Sequence, residues 1–233
     1  MIRKVLAVIA AVAPAFAAHA QTTSIAGVWQ AISPNKLVTT TGQIPPLNAA
    51  AAAQYRANLT AAAKGDYSWD PVAICKPPGE PRTLLQDRMP FEIAVSPVRV
   101  DFLFQWNRLD RIIGIVGKEP DYVGPYYFGA STAHWESDTL VVSVTGIKEN
   151  TTLDAAGLPH TDSAVLTERF HTIDGGRKLE ADIHVSDPAT YTSAWDTKLL
   201  FKRLPDDTRI QEDVCMERKH LNTYSTIYNS VTK

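Results

Sequence analysis

A carboxylate, an imidazole, a guanidinium and a set of aromatic rings are the groups in this chain with the chemistry to hold or act on a small molecule. Glu168 is the most informative of them. In Ala164-Val165-Leu166-Thr167-Glu168-Arg169-Phe170, strand alternation puts Glu168 on the same face as Leu166 and Phe170. Across the turn Asp174-Gly175-Gly176, the next strand presents Leu179, Ala181, Ile183 and Val185 to that face. Thr167, Arg169 and His171 then face Lys178, Glu180, Asp182 and His184 on a solvated side. Glu168 is therefore predicted to point into an apolar interior, where a lone carboxylate must be paired or keep its proton. Two roles stay open for it: a structural ion pair with Arg111, or ligand binding and acid–base chemistry. Arg169 is predicted to pair across the strands with Asp182 or Glu180, an exterior contact of ~1 kcal/mol or less.

Asp154 and His160 lie in a loop of about sixteen residues, Ile147 to Asp162, between two strong strand signals. Across a barrel mouth, such a loop would bring His160 to the cavity as an acid or base, with Asp154 or Asp162 fixing its tautomer. The structural alternative is that Asp154 caps the turn through Ala155-Ala156-Gly157 and His160 anchors the loop. Asp154, His160 and Asp162 are metal-ligand types, but His171 and His184 alternate outward and no His-x-His, His-x-x-x-His or His-Glu-x-x-His occurs, so no metal and no cofactor is expected. The chain has no Gly-x-Ser-x-Gly elbow, no glycine-rich phosphate loop and no cysteine in an activating setting. Among the aromatics, Phe102, Phe104 and Trp106 share one strand face, and Tyr122, Tyr126, Tyr127 and Phe128 crowd a loop with Gly124 and Pro125. The first group reads as core or as cavity wall, the second as core or as a ligand-gating rim.

The elements that must position these groups are mostly strands. Residues 1–20 read as a secretory leader: Arg3 and Lys4, a small and apolar run from Val5 to Ala18 broken by Pro14, then Ala18-His19-Ala20 before Gln21. That run is too short for a spanning helix, so a periplasmic or secreted chain without membrane insertion is expected. The 233 residues carry 23 Lys+Arg against 25 Asp+Glu, a balance that gives no electrostatic reason to expect nucleic acid. In an oxidising compartment Cys75 and Cys215 are expected to form a disulfide; two buried thiols are the alternative. The single helix signal is the alanine-rich stretch 46–64, closed by Gly65 and flanked by Ile44-Pro45-Pro46 and Lys76-Pro77-Pro78-Gly79-Glu80-Pro81. Strands are predicted at Ile25–Ile32, Phe91–Val95, Val98–Trp106, Ile112–Val116, Thr139–Thr145, Ser163–Ile173, Lys178–Val185, Lys198–Leu204 and Arg209–Met216. About nine strands and one helix give an all-β fold, a single antiparallel barrel over residues 21–233 with room for a small ligand.

Several motifs carry a resemblance. His134-Trp135-Glu136-Ser137-Asp138-Thr139-Leu140-Val141-Val142, Leu153-Asp154-Ala155-Ala156-Gly157-Leu158-Pro159-His160, Thr167-Glu168-Arg169-Phe170 and Asp213-Val214-Cys215 resemble the motifs of a large family of secreted bacterial β-rich proteins, marked by W-E-G-D-T-L-V-V. The similarity runs from about Cys75 to Glu217 and implies no catalytic residue. The chain departs from the pattern at Ser137, where glycine is usual, and at Thr152, where tryptophan is usual. Gly27-Val28-Trp29 more weakly resembles the opening of a lipocalin barrel, which implies an arginine from the last strand over the indole, here Arg209 or Arg218.

Two functions follow as expectations. One is a barrel that binds a small apolar or aromatic molecule between Phe102, Phe104 and Trp106, oriented by Arg111, Glu168 and His160 and rimmed by Tyr126 and Tyr127. The other is a cofactor-free lyase, isomerase or hydratase in the same cavity, with Glu168 or His160 moving a proton and Arg111 or a tyrosine stabilising the oxyanion.

Overall fold

Alternating apolar and polar residues carry most strands of the chain, whose computed structural model describes residues 24–86, 89–115 and 124–220. Residues 1–20, read from the sequence as a leader, and Tyr122 lie outside the described residues. β1 (Gly27–Ala31), β2 (Phe91–Val95), β3 (Arg99–Phe104), β4 (Asp110–Gly114), β5 (Ala130–Glu136), β6 (Thr139–Thr145), β7 (Val165–Ile173), β8 (Lys178–Ser186) and β9 (Trp195–Arg203) close into a nine-strand barrel in chain order. The sheet is mixed rather than wholly antiparallel. β4 and β5 run parallel and share a single bridge, Gly114 to Thr132.

The β7–β8 register is the one that alternation requires: Leu166 faces Val185, Glu168 faces Ile183 and Phe170 faces Ala181. Arg169 lies opposite Asp182 but turns to Glu136 on β5, 2.7 Å away, while Lys198 of β9 takes Asp182 and Glu180. His171, Glu180 and Asp182 bring ligand-type atoms within 4.8 Å of one another on this outer face, where the Lys198 ammonium already pairs with both carboxylates.

One expected strand is absent and one unexpected strand appears. No strand forms over Arg209–Met216; residues 204–214 cross the outside of the barrel and lead into α2 (Cys215–His220). Side chains there take the backbone groups that a ladder would use: Gln105 Oε1 accepts from Gln211 N, and Asn107 Oδ1 from Cys215 N. β5 is the strand that the sequence reading omits. Trp106 also departs from expectation. It leaves β3 for a short helical turn, Trp106–Arg108, and packs with Val72 and the Cys75–Cys215 disulfide outside the barrel. Ser137 takes a positive φ of 58° in the β5–β6 turn.

Phenylalanine rings crowd the barrel interior. Phe102 meets Phe91 and Phe170 at centroid distances of 6.2 and 5.2 Å, and Phe91 meets Phe201 at 5.2 Å. At one end Trp29 is capped by a guanidinium 4.2 Å from its ring. That cation is Arg203, the last residue of β9, not Arg209 or Arg218. It also donates to the carbonyls of Ser24, Ala26 and Gly176. Gly27 takes a φ of 135° beneath it, where a Cβ would overlap the guanidinium.

The loop between β6 and β7 folds over the opposite end. Residues 151–160 are all buried, and Leu153, Ala156 and Leu158 join the barrel core. Helix α1 (Ala49–Ala63), capped by the Asn48 side chain at Ala51 N, lies over this loop and donates from Asn58 Nδ2 to Gly157 O at 2.9 Å. Gly157 has a φ of 85° and a Cβ there would overlap Asn58 and Trp69, so close helix–loop approach requires glycine.

Candidate functional site

The weak seam between β4 and β5 is also where the barrel wall opens. Away from the Gly114–Thr132 bridge the two strands diverge around a cleft of about 420 Å³. Its lining includes Arg111 and Ile112 from β4, Ser131 from β5, and Tyr126, Tyr127 and Phe128 from the segment leading into β5. That segment is fixed in place. Tyr126 N donates to Gly146 O, Lys148 N donates to Tyr126 O, the Phe128 ring stacks on Phe104 at 6.0 Å, and Lys148 Nζ sits 4.8 Å over the Tyr127 ring. Gly129 (φ 64°) brings the backbone against Thr145 O, where a Cβ has no room.

Alternation on β4 turns Arg111 and Ile113 inward and leaves Asp110 and Ile112 outside. Arg111 is consequently buried, and its Nη2 donates to Glu168 Oε2 at 2.7 Å and to Ser131 Oγ at 3.1 Å. Its carbon Cζ lies 5.7 Å from the Phe102 centroid. A third ionisable group completes the cluster: Glu80 Oε2 is 3.5 Å from Arg111 Nη1. Glu80 and Glu168 are both 0% exposed. The Glu168–Arg111 pair foreseen from the sequence is present, but Glu80 is not legible there. It sits in the connector Lys76-Pro77-Pro78-Gly79-Glu80-Pro81, which has no periodicity, and only a lone acid among prolines marks it. Arg82 and Asp70, a second buried pair 2.7 Å apart beneath the loop, escape notice for the same reason. Arg82 Nη1 also donates to Thr152 Oγ1 at 2.9 Å.

One guanidinium cannot neutralise two buried carboxylates, so one of the acids must hold its proton. Burial pushes the Glu80 carboxyl up to about 8, with Arg111 pulling it down and the Glu168 charge pushing it further up. Burial works against the Arg111 charge as well, but the two acids outweigh it and hold its pKa above the usual value. At neutral pH the cluster is thus a cation, an anion and a neutral carboxylic acid.

This arrangement makes stability depend on pH. Glu80 binds its proton more tightly in the folded chain than in the unfolded one, so its contribution is complete below the ordinary carboxylate range. Stability then falls as pH rises toward about 8, where Glu80 ionises in the fold. Glu80→Gln, which imitates the protonated acid, is expected to remove that slope. In thermal melts the variant should match the parent at pH 5 and exceed it at pH 8. Parallel curves at both pH values would show that Glu80 does not titrate in this window.

The other expected site residues go elsewhere. Asp154 accepts from three backbone N–H groups, those of Leu37 (2.8 Å), Ala156 (3.0 Å) and Leu158 (2.9 Å), and so fastens the loop to residues 35–37. His160 faces Thr161 O through Nδ1 at 2.8 Å and Thr151 Oγ1 through Nε2 at 2.9 Å. Burial lowers its pKa, against the Thr161 carbonyl and the charges of Asp187, Glu149 and Asp162. Neither side chain lines the cleft. Phe102 and Phe104 are core and Trp106 packs on the disulfide, so of the expected ligand-binding residues Arg111, Tyr126 and Tyr127 are the ones brought together.

No family model and no curated protein matches the chain. Its site has to be interpreted from its own geometry.

Proposed function

We propose that the protein is a periplasmic or secreted barrel that binds a small apolar or aromatic molecule in the cleft along the β4–β5 seam. The observation that carries this reading is the lining. Tyr126, Tyr127 and Phe128 give aromatic contact area, and Arg111 and Ser131 supply a few buried polar groups at the bottom, the composition typical of small-molecule sites. The seam, rather than the middle of the barrel, is the ligand's place because phenylalanine rings already crowd the interior. The leader-like N-terminus, the Cys75–Cys215 disulfide and the motif resemblance to secreted bacterial proteins support the compartment.

A second reading, proton transfer on such a molecule, has one observation in its favour: Glu80, fully buried, stands 3.5 Å from the Arg111 cation, and burial pushes its carboxyl up to about 8. In that reading Glu80 is the acid and Arg111 stabilises the developing oxyanion.

The test of binding is titration with N-phenyl-1-naphthylamine, a neutral dye that brightens in apolar sites. Saturable brightening is expected, and Ile112→Trp, which places an indole at the exposed rim of the cleft, should weaken it at least tenfold. Unchanged titration of that variant would move the site elsewhere.

A further inference from the structure

The polar atoms at the bottom of the cleft say more about the ligand than its apolar wall does. Arg111 Nε and Nη1 have no hydrogen-bond partner although both are buried. Ser131 Oγ accepts from Arg111 Nη2, which leaves its own O–H to donate. Both side chains are more than nine-tenths buried, and both line the cleft. The carboxylate of Asp110 lies at the exposed rim, and the buried groups offered by the lining are donors, so the complementary atom of a ligand that reaches them is an acceptor. A buried donor without a hydrogen bond costs free energy that a ligand acceptor would recover, at Nε outright and at Nη1 in place of the long 3.5 Å contact with Glu80 Oε2.

Charge decides what kind of acceptor. Around Arg111 stand Glu168 from β7 and Glu80 from the connector before β2, so that the charged guanidinium faces one ionised acid and one that holds its proton. That set is already neutral overall. A carboxylate or phosphate entering the cleft would bury an extra negative charge beside Glu168, and an amine would meet a guanidinium; each is a buried charge without compensation. A carbonyl oxygen accepts from Arg111 and Ser131 and brings no net charge.

Resting on the binding role proposed above, we infer that the cleft selects a neutral carbonyl compound with an aromatic or apolar body, such as an aryl ketone, aldehyde or lactone, its oxygen held by Arg111 and Ser131 and its body against Tyr126, Tyr127 and Phe128.

Three probes of one shape separate this from its rivals: naphthalene, 2-acetylnaphthalene and 2-naphthoate, each equilibrated by dialysis against the full-length chain at pH 6.5. The ketone is expected to bind at least tenfold more tightly than the hydrocarbon, and the carboxylate no more tightly than the hydrocarbon. Ser131→Ala, a small change on a strand that should leave the fold intact, is expected to bring the affinity of the ketone close to that of the hydrocarbon when both are measured on that variant. Equal binding of all three probes would overturn the carbonyl selection and leave the apolar site standing. Tightest binding by naphthoate would overturn it in favour of an anion site. Binding of none of them would overturn both the selection and the binding role beneath it.

Discussion

Arg111→Met is expected to destabilise the protein by about 3–5 kcal/mol, the usual effect of removing one partner from a buried ionic cluster. The change deletes the one cation among the described residues that pairs with Glu168 and Glu80, both fully buried. Methionine fills the space but leaves two acids without compensation, and both can stay inside only by holding protons. The loss should therefore be larger at pH 8 than at pH 5. For a chain of this size it corresponds to a fall of roughly 10 °C in melting temperature. The companion variant Glu80→Leu/Arg111→Met/Glu168→Leu removes every charge at once. It is expected to recover most of the loss, because apolar replacements of a whole buried ionic cluster are often neutral or stabilising. If the single and triple variants melt together, the three groups are not energetically coupled. If the triple variant folds but no longer separates ketone from hydrocarbon, the charges serve recognition rather than stability.

Removing the disulfide should have a comparable effect. Cys75 and Cys215 are 140 positions apart and the bridge closes nearly the whole barrel into one loop. Restricting an unfolded chain over that separation contributes on the order of 4–5 kcal/mol in the chain-entropy account. The bond also holds residues 204–214 across the outer wall, together with Asn107 N donating to Asp213 Oδ2 at 2.6 Å. Cys75→Ala/Cys215→Ala is expected to lower the melting temperature by roughly 10–15 °C, and reduction of the parent should give a similar shift. A change below about 2 °C would mean that packing of Trp106 and Val72 around the sulfurs, not covalent closure, holds this end of the chain.

The sequence reading and the structure agree on nine strands through two opposite errors. The segment 209–216 alternates like a strand, but its backbone groups are taken by Gln105 and Asn107 and its cysteine is drawn to Cys75. β5 does not alternate visibly, because two of its three inward residues, Ser131 and Ala133, are too small to register as an apolar face beside Trp135. Those small residues lie where Arg111 needs room, so the pattern is faint at the site itself. Glu168 was legible because a long hairpin fixes its register on both sides. Its second acid was not, since Glu80 arrives from a proline-rich connector whose path only the packing of the whole chain determines. His160 and Asp154 read as site candidates for the right reason, a long loop between strong strands. The loop is instead packed inward under α1, and its polar side chains hold it there. The helix was legible from its alanines and the following glycine, its place over that loop was not.

Eight of the nine strand junctions are antiparallel ladders, and the ninth is one bridge. A cylinder laced so unevenly has a preferred line along which to breathe. Fluctuations that part β4 from β5 give up a single pairing, whereas parting any other neighbours breaks several. The amides of Ile112 and Ser131 should accordingly exchange with solvent sooner than those at matching depth on β7 and β8. Along that line a guest could reach the buried guanidinium while the rest of the wall stays shut.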